Sequence, residues 1–155
     1  MAKTYKNLVS DVLPNIREVF PWDLEEMLEA NPNIMLVDIR EAVEFDTVRL
    51  KNSIHAPRGT LESCCDWDYV ETIPELVQAR QKTVVVVCRS GNRSALATMT
   101  MQMMGYEDIY SLKTGLKGWN DSDLELVDGK DNIIDPDEAE AFLFPVVAAN
   151  QLSPK

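Results

Sequence analysis

Four successive valines between Thr83 and Cys88 constrain the fold of this chain more than any other feature. Valine is branched at Cβ, and such side chains favour extended backbone, in which neighbouring side chains point to opposite faces. A run that is apolar at every position leaves no face suited to solvent, which is typical of a strand covered on both sides. Residues 83–88 are therefore predicted to form a strand in the middle of a sheet.

Other short apolar runs alternate with segments of helical composition. Strands are predicted at 34–38, 53–56 and 109–112, and helices at 23–31, 41–50, 69–80 with an interruption at Pro74, and 94–104. Strands that alternate with helices at short spacing need crossover connections, which occur in parallel sheets covered by helices on both faces. The predicted fold class is an α/β sandwich with a mainly parallel sheet.

Charge narrows the choice of partners. The chain has 15 basic and 26 acidic residues, and its net charge of −11 opposes binding to phosphate backbones and to anionic lipid. We therefore expect no nucleic acid partner and no membrane association. The first 20 residues lack the apolar core and cleavage site of a secretory signal, so a cytoplasmic protein is expected.

Composition also changes along the chain. From Trp119 to Lys155 nine residues are acidic and two are basic. Within this segment Asp135 suits the cap of a short helix and Pro136 its first position. This helix is predicted to be a solvated surface element, and contact with a partner through residues 142–144 is the alternative. We predict three parts: a helical N-terminal extension at 1–15, a domain at 16–120 and an acidic C-terminal extension at 121–155.

The segment Cys88-Arg89-Ser90-Gly91-Asn92-Arg93-Ser94 combines residue types that suit a reactive cysteine. The chain turns there from the carboxyl end of a strand into a helix, whose first amide groups lack intrahelical acceptors and attract negative charge. These amides, with the guanidinium groups of Arg89 and Arg93, are predicted to favour a Cys88 thiolate near neutral pH. Gly91 permits the tight turn, and the small side chains of Ser90 and Ser94 are expected to leave the rim open. The alternative is a buried cysteine that serves packing only.

No metal site is predicted. Cys64, Cys65 and Cys88 are the only cysteines and His55 is the only histidine, and their spacing matches no zinc motif. The cysteines are too few for a disulfide framework, and we expect reduced thiols.

The Cys88 loop and three other segments together resemble the rhodanese family. These segments are VDIRE at 37–41, IHAPRGTLE at 54–62 and GLKGW at 115–119. The resemblance extends over residues 16–120. It implies a rhodanese-like three-layer sandwich, with a five-stranded, mainly parallel sheet and helices on both faces, and a cysteine that carries transferable sulfur as a persulfide.

The resemblance also implies roles for individual residues. Cys88 matches the family's catalytic cysteine, and the positions that match the loop holding the outer sulfur are Arg89, Ser90, Gly91, Asn92 and Arg93. Asp38, Arg40 and Arg58 match positions that support or border this loop. An ion pair that stabilises the turn is the favoured role for Asp38 and Arg40.

The other candidate side chains have plainer interpretations. His55 is taken as structural, because a persulfide site needs no base. Cys64 and Cys65 are taken as packing residues, with a resolving thiol or second sulfur carrier as the alternative.

The function implied by the resemblance is a sulfurtransferase without a cofactor. It would take sulfur from a small-molecule donor, thiosulfate or a persulfide, and pass it to a thiol or cyanide by double displacement. A sulfur-relay carrier or partner-binding module that exchanges persulfide with another protein is the alternative. A phosphatase or arsenate reductase is disfavoured, because four residues separate Cys88 from Arg93, one fewer than in the loop of those enzymes. A catalytically silent regulatory module is least favoured, since the cysteine is present.

Charge near the loop bears on the sulfur donor. Thiosulfate-handling rhodaneses place cations at two positions near the pocket mouth, and the residues that match them are Ser90 and Glu44. A carboxylate in place of a cation repels a dianion. Thiosulfate is therefore predicted to be a poor donor, and a persulfide on a small thiol or a protein a better one.

Overall fold

The valine strand lies at the centre of the sheet, as predicted. The computed structural model describes all residues from Met1 to Lys155. Its strands are β1 (Glu18–Val19), β2 (Met35–Asp38), β3 (Ile54–His55), β4 (Val84–Val87) and β5 (Ile109–Leu112). They form one parallel sheet in the order β1-β5-β4-β2-β3. The valine strand is β4, and because β4 lies between β2 and β5 in the sheet, its carboxyl end lies between the ends of those two strands.

Eight α-helices connect and cover these strands. They are α1 (Tyr5–Val12), α2 (Pro21–Ala30), α3 (Ala42–Thr47), α4 (Leu61–Cys64), α5 (Pro74–Val77), α6 (Asn92–Met103), α7 (Gly115–Asp121) and α8 (Pro136–Leu143). None of them has the length and apolar character needed to cross a bilayer.

The core has two halves, one on each face of the sheet. Val84 and Val86 belong to the half that α4, α5 and α6 cover. Val85 and Val87 belong to the half that α2, α7 and α8 cover. All four valines are fully buried, which is the arrangement expected of a central parallel strand. The predicted three-layer α/β sandwich with five parallel strands is confirmed.

Two predicted helices are longer than the observed ones. The helix predicted at 41–50 ends at Thr47, because Val48 adopts extended backbone and Arg49 pairs with Val127 in an isolated antiparallel bridge. The helix predicted at 69–80 is wrong over its first half. Pro74 is the first residue of α5 rather than an interruption, since proline fits the first helical turn and disfavours helical backbone in the residue before it.

The acidic segment after residue 120 contributes to the core. Asp135 caps α8 by accepting hydrogen bonds from the amides of Asp137 and Glu138. Leu143 is 2% exposed and packs in the α2–α7–α8 half of the core, so it is not available for a partner. α8 thus closes one face of the sandwich.

Candidate active site

The sulfur of Cys88 lies at the junction of β4 and α6. Gly91 has a positive φ of 92°, and this conformation turns the chain so that α6 starts at Asn92. The amide groups of Gly91 and Ser94 donate hydrogen bonds to Cys88 Sγ at 3.1 and 3.3 Å. Cys88 is completely buried. The loop therefore curls around the sulfur as the sequence predicts.

Most of the remaining loop amides are free of protein acceptors. The amide groups of Arg89, Ser90, Asn92 and Arg93 hydrogen-bond to no group of the protein. They stand at the amino end of a twelve-residue helix, where such donors and the helix dipole favour negative charge. The loop thus has the donors to hold a second anionic atom beside Sγ.

Two buried hydroxyl groups support the sulfur from the sheet side. Ser94 Oγ lies 3.3 Å from Cys88 Sγ and 2.7 Å from Ser111 Oγ. Both serines are fully buried, so Ser94 lies beneath the sulfur. The expectation that Ser94 borders an open rim of the loop is therefore wrong. No role was predicted for Ser111. Its only signal was a hydroxyl within the apolar strand β5.

The carbonyl side of the loop is held by α7. The amides of Leu116 and Lys117 donate to the carbonyl oxygens of Cys88 and Arg89 at 2.9 and 3.0 Å. Gly115 makes this contact possible, because a side chain there would overlap those two carbonyl groups. The GLKGW run, noted in the sequence only as part of a resemblance, therefore anchors the loop through the first amides of a helix.

The two loop arginines differ in their surroundings. The guanidinium group of Arg93 forms a bidentate ion pair with Glu44, with both N···O distances 2.9 Å. Burial alone would raise the pKa of Glu44, but the hydrogen bonds from Arg93 and from the Glu41 amide, together with the charges of Arg93 and Arg40, outweigh burial and lower that pKa to about 2. The same pairing raises the pKa of Arg93. Arg89 is half-buried and its guanidinium group forms no ion pair and no hydrogen bond. Arg89 is thus the unpaired cation of the loop.

Asp38 and Arg40 form a fully buried ion pair next to the loop. Arg40 Nη2 lies 2.7 Å from Asp38 Oδ2 and also donates to the carbonyl of Val48. Asp38 is in register with Val87, the residue before the cysteine. His55 Nε2 lies 2.7 Å from the Arg40 carbonyl, and its ring stacks on Phe45. These contacts suit the structural roles predicted for Asp38, Arg40 and His55.

The other candidates form no hydrogen bond with the loop. Arg58 pairs with Glu62 at 3.0 Å and donates to Thr100 at 3.3 Å, so its hydrogen bonds do not reach the sulfur. Cys64 and Cys65 are buried in the α4–α5–α6 half of the core. Burial raises the pKa of both thiols, which fits packing rather than sulfur chemistry. No three His, Cys, Asp or Glu side chains come together in a way that could hold a metal ion.

A residue of the N-terminal helix also reaches this region. Burial raises the pKa of Tyr5, the charge of Cys88 raises it further, and Arg93 and Arg89 act in the opposite direction. The phenol therefore lies within electrostatic range of the sulfur and of both loop arginines. Nothing in the local sequence pointed to Tyr5, because its position depends on how α1 packs against α6.

Comparisons with known proteins bear on the family and the fold of this chain. The chain is 32% identical to the adenylyltransferase and sulfurtransferase MOCS3 of Xenopus laevis over 128 residues, which cover 76% of this chain and 24% of that protein. The chain thus spans about a quarter of the length of that relative.

Two solved structures are similar to this one. A protein of Rhodopseudomonas palustris described as a possible tyrosine phosphatase has a TM-score of 0.71 and 25% identity, and the alignment covers 79% of this chain and 93% of that one. The polysulfide-sulfur transferase homodimer of Wolinella succinogenes has a TM-score of 0.60 and 29% identity, with 80% and 87% covered. The family model of the rhodanese-like domain matches residues 21–122, well over half of the sequence. The chain belongs to the rhodanese-like domain family.

Proposed function

We propose that this protein is a sulfurtransferase that carries sulfane sulfur on Cys88 as a persulfide. The observation that supports this most is the loop itself: two amides already donate to Sγ, and four more lack acceptors. Amides directed at one point stabilise charge that develops there, because they need no reorganisation during the reaction. A terminal persulfide sulfur carries that charge next to Sγ.

The reaction consists of two displacements. The Cys88 thiolate attacks the outer sulfur of a donor, a new S–S bond forms at Sγ, and the donor's S–S bond breaks. The bonding electron pair leaves with the rest of the donor, as a thiolate that takes up a proton. A thiolate or cyanide then attacks the outer sulfur of the persulfide, and Sγ leaves as the thiolate.

Arg89 and Arg93 contribute differently to this chemistry. The charge of Arg93 is balanced by Glu44 at 2.9 Å, so its attraction for an anionic donor is largely cancelled. Arg89 has no such partner and provides the free positive charge near the sulfur. The ion pair also removes the repulsion that the sequence suggested for an isolated Glu44 carboxylate.

The persulfide of a thiol is proposed as a better donor than thiosulfate. Ser90 is exposed and uncharged, and only one loop arginine is free to hold a sulfonate group. The positions that carry cations in thiosulfate-handling relatives are Ser90 and Glu44 here, so Arg89 alone is available to bind a thiosulfate dianion. The net charge of −11 on the whole chain also repels that dianion. The reacting end of a persulfide carries a single negative charge and needs less compensation within the loop.

Phosphate ester hydrolysis is not favoured, although one similar structure is described as a possible tyrosine phosphatase. A phosphatase loop needs room for a tetrahedral oxyanion and a guanidinium group to bind its oxygens. Here the loop from Cys88 to Arg93 has six residues. The Arg93 guanidinium group is paired with Glu44 and is therefore not free to bind phosphate oxygens.

The test is intact mass of the protein after incubation with a persulfide donor, followed by turnover with cyanide or a thiol. We expect the gain of one sulfur atom, its loss on reduction, and no gain in Cys88→Ser. Cys64→Ser and Cys65→Ser are matched controls that should still gain the atom. A sulfur that stays in the Cys88→Ser variant contradicts the assignment. Persulfide formation without turnover on any small acceptor indicates the relay carrier instead.

A further inference from the structure

The N-terminal helix α1 lies outside the segment that matches the family, yet it packs beside the catalytic loop. The family model begins at residue 21, whereas α1 spans Tyr5–Val12 and contacts α6. Thr4 caps α1 and exchanges two hydrogen bonds with Asn7. Tyr5 therefore occupies the first position of a well-defined helix, and it lines a cleft together with Asn92 of the loop.

Apolar contact alone holds α1 in place. None of its residues is buried, and no residue before Asn15 hydrogen-bonds to the rest of the protein. The first such bond runs from Gln102 Nε2 to the Asn15 carbonyl at 2.9 Å. Because α1 adds so little to the core, the main effect of its position is on the surface next to Cys88.

Two adjoining clefts separate α1 from the loop. One has a volume of about 400 Å³ and is lined by Tyr5, Lys6 and Val9 on the helix and by Asn92 on the loop. The other, of about 240 Å³, shares Val9 and Asn92 and continues to Gly91. Gly91 is the residue whose amide donates to the sulfur. The clefts therefore run from the reactive loop along an apolar helix face, and the larger one has the volume of a small-molecule site.

The charges along these clefts favour an anion. Lys6 lines the larger cleft and Lys113 the smaller, where Glu18 is the single carboxylate. Arg89 lines neither cleft but adds an unpaired guanidinium group within the loop. This local excess of positive charge contrasts with the net charge of −11 on the whole chain, and it attracts carboxylate-bearing ligands.

We propose that α1 and the Cys88 loop together bind the organic part of a small, anionic thiol persulfide, with Tyr5 and Val9 as specificity-determining side chains. The proposal rests on the proposed sulfurtransferase function and names its donor class. Cys88 is fully buried, so a slim S–S end must enter the loop while the carbon skeleton remains in the clefts. An inorganic donor has no carbon skeleton and makes no use of that helix face.

The test compares two donors, glutathione persulfide and inorganic polysulfide, on the chain of residues 1–155. Tyr5→Ala and Val9→Ala remove apolar surface from the clefts, and Leu8→Ala is the matched control, because Leu8 lies on the same helix but lines neither cleft. For glutathione persulfide we expect kcat/KM to fall about tenfold in Tyr5→Ala and about fivefold in Val9→Ala, mainly through KM. With polysulfide both variants should stay within about twofold of the parent.

The possible outcomes distinguish failure of the donor-binding proposal from failure of the proposed sulfurtransferase function. Equal losses with both donors, or an equal loss in Leu8→Ala, would show a general structural role for α1 and overturn the proposal. Unchanged kinetics in Tyr5→Ala and Val9→Ala would overturn it as well. Failure of the parent protein to form a Cys88 persulfide with either donor would instead refute the proposed function.

Discussion

Replacing Gly115 with alanine should disable the loop without touching any residue that meets the sulfur. A Cβ at this position would lie 2.6 Å from the carbonyl oxygen of Cys88 and 2.5 Å from the carbonyl carbon of Arg89, where ordinary contact begins at 3.4 Å. Both neighbours are backbone, so no flexible side chain can move aside. Gly115 also has a positive φ of 62°, which alanine adopts only with strain.

The size of the effect follows from these distances. Relief of the overlap needs a shift of about 1 Å in the loop or in α7, and a misplacement of that size costs about 100-fold in rate when reacting groups are involved. The left-handed backbone adds about 1 kcal/mol and the overlap more, so we expect the free energy of unfolding to fall by roughly 2–4 kcal/mol.

Substitutions at two other glycines separate the effect of backbone strain from that of steric overlap. Gly105 has a φ of 96° and only the Arg80 side chain near, at 3.8 Å, whereas Gly59 has nothing within 4 Å. Gly105→Ala should lose about 1 kcal/mol of stability and keep its rate, and Gly59→Ala should change neither. The assays are urea unfolding and the initial rate of Cys88 persulfide formation by intact mass. A Gly115→Ala protein that forms the persulfide at the parent's rate would refute the role given to α7.

Two further predictions concern the charged groups behind the loop. Arg40→Met leaves the Asp38 carboxylate buried without its partner, so the free energy of unfolding measured in urea should fall by about 3–5 kcal/mol. The double variant Asp38→Leu/Arg40→Met should regain much of that loss. A loss below about 1 kcal/mol in the single variant would contradict this prediction. Because the pKa of Glu44 falls from 4.5 to about 2 on folding, its contribution is complete above pH 4.5 and disappears as the pH falls toward 2. We expect about 1–2 kcal/mol, allowing for partial exposure of the pair. As the pH is lowered from 6 to 2, the melting temperature of Glu44→Gln should fall less than that of the parent. Equal falls in the two proteins would contradict a stabilising role of the Glu44 carboxylate.

The fold could be predicted from the sequence where the signal is local. Four valines in succession identify the central strand, and the change to polar residues at Cys88 marks where the strand ends and the loop begins. The first amides of the next helix follow from this order of elements, whatever the rest of the chain does. For this reason the position of Cys88 between the end of β4 and the start of α6 could be predicted from a short stretch of sequence.

The parts that could not be predicted depend on contacts between distant segments. Ser111 meets Ser94 because β5 is next to β4 in the sheet, and Tyr5 approaches the loop because α1 packs against α6. Periodicity carries no information on either contact. The shortened α5 has a different cause, since Pro74 was treated as a break within a helix and in fact begins one.

The pairing of Arg93 shows how tertiary contacts change the chemistry inferred from a motif. In the sequence, Arg89 and Arg93 count equally as cations next to the cysteine. In the structure Glu44, carried by α3, neutralises one of them, and burial of this pair couples α3 to the start of α6. Stabilisation of negative charge at the sulfur then rests on the amides and on Arg89. In the proposed reaction, backbone amides hold one atom at close range and select little among donors, so selection between donors falls to the side chains that line the clefts beside the loop, among them Tyr5 and Val9 of α1.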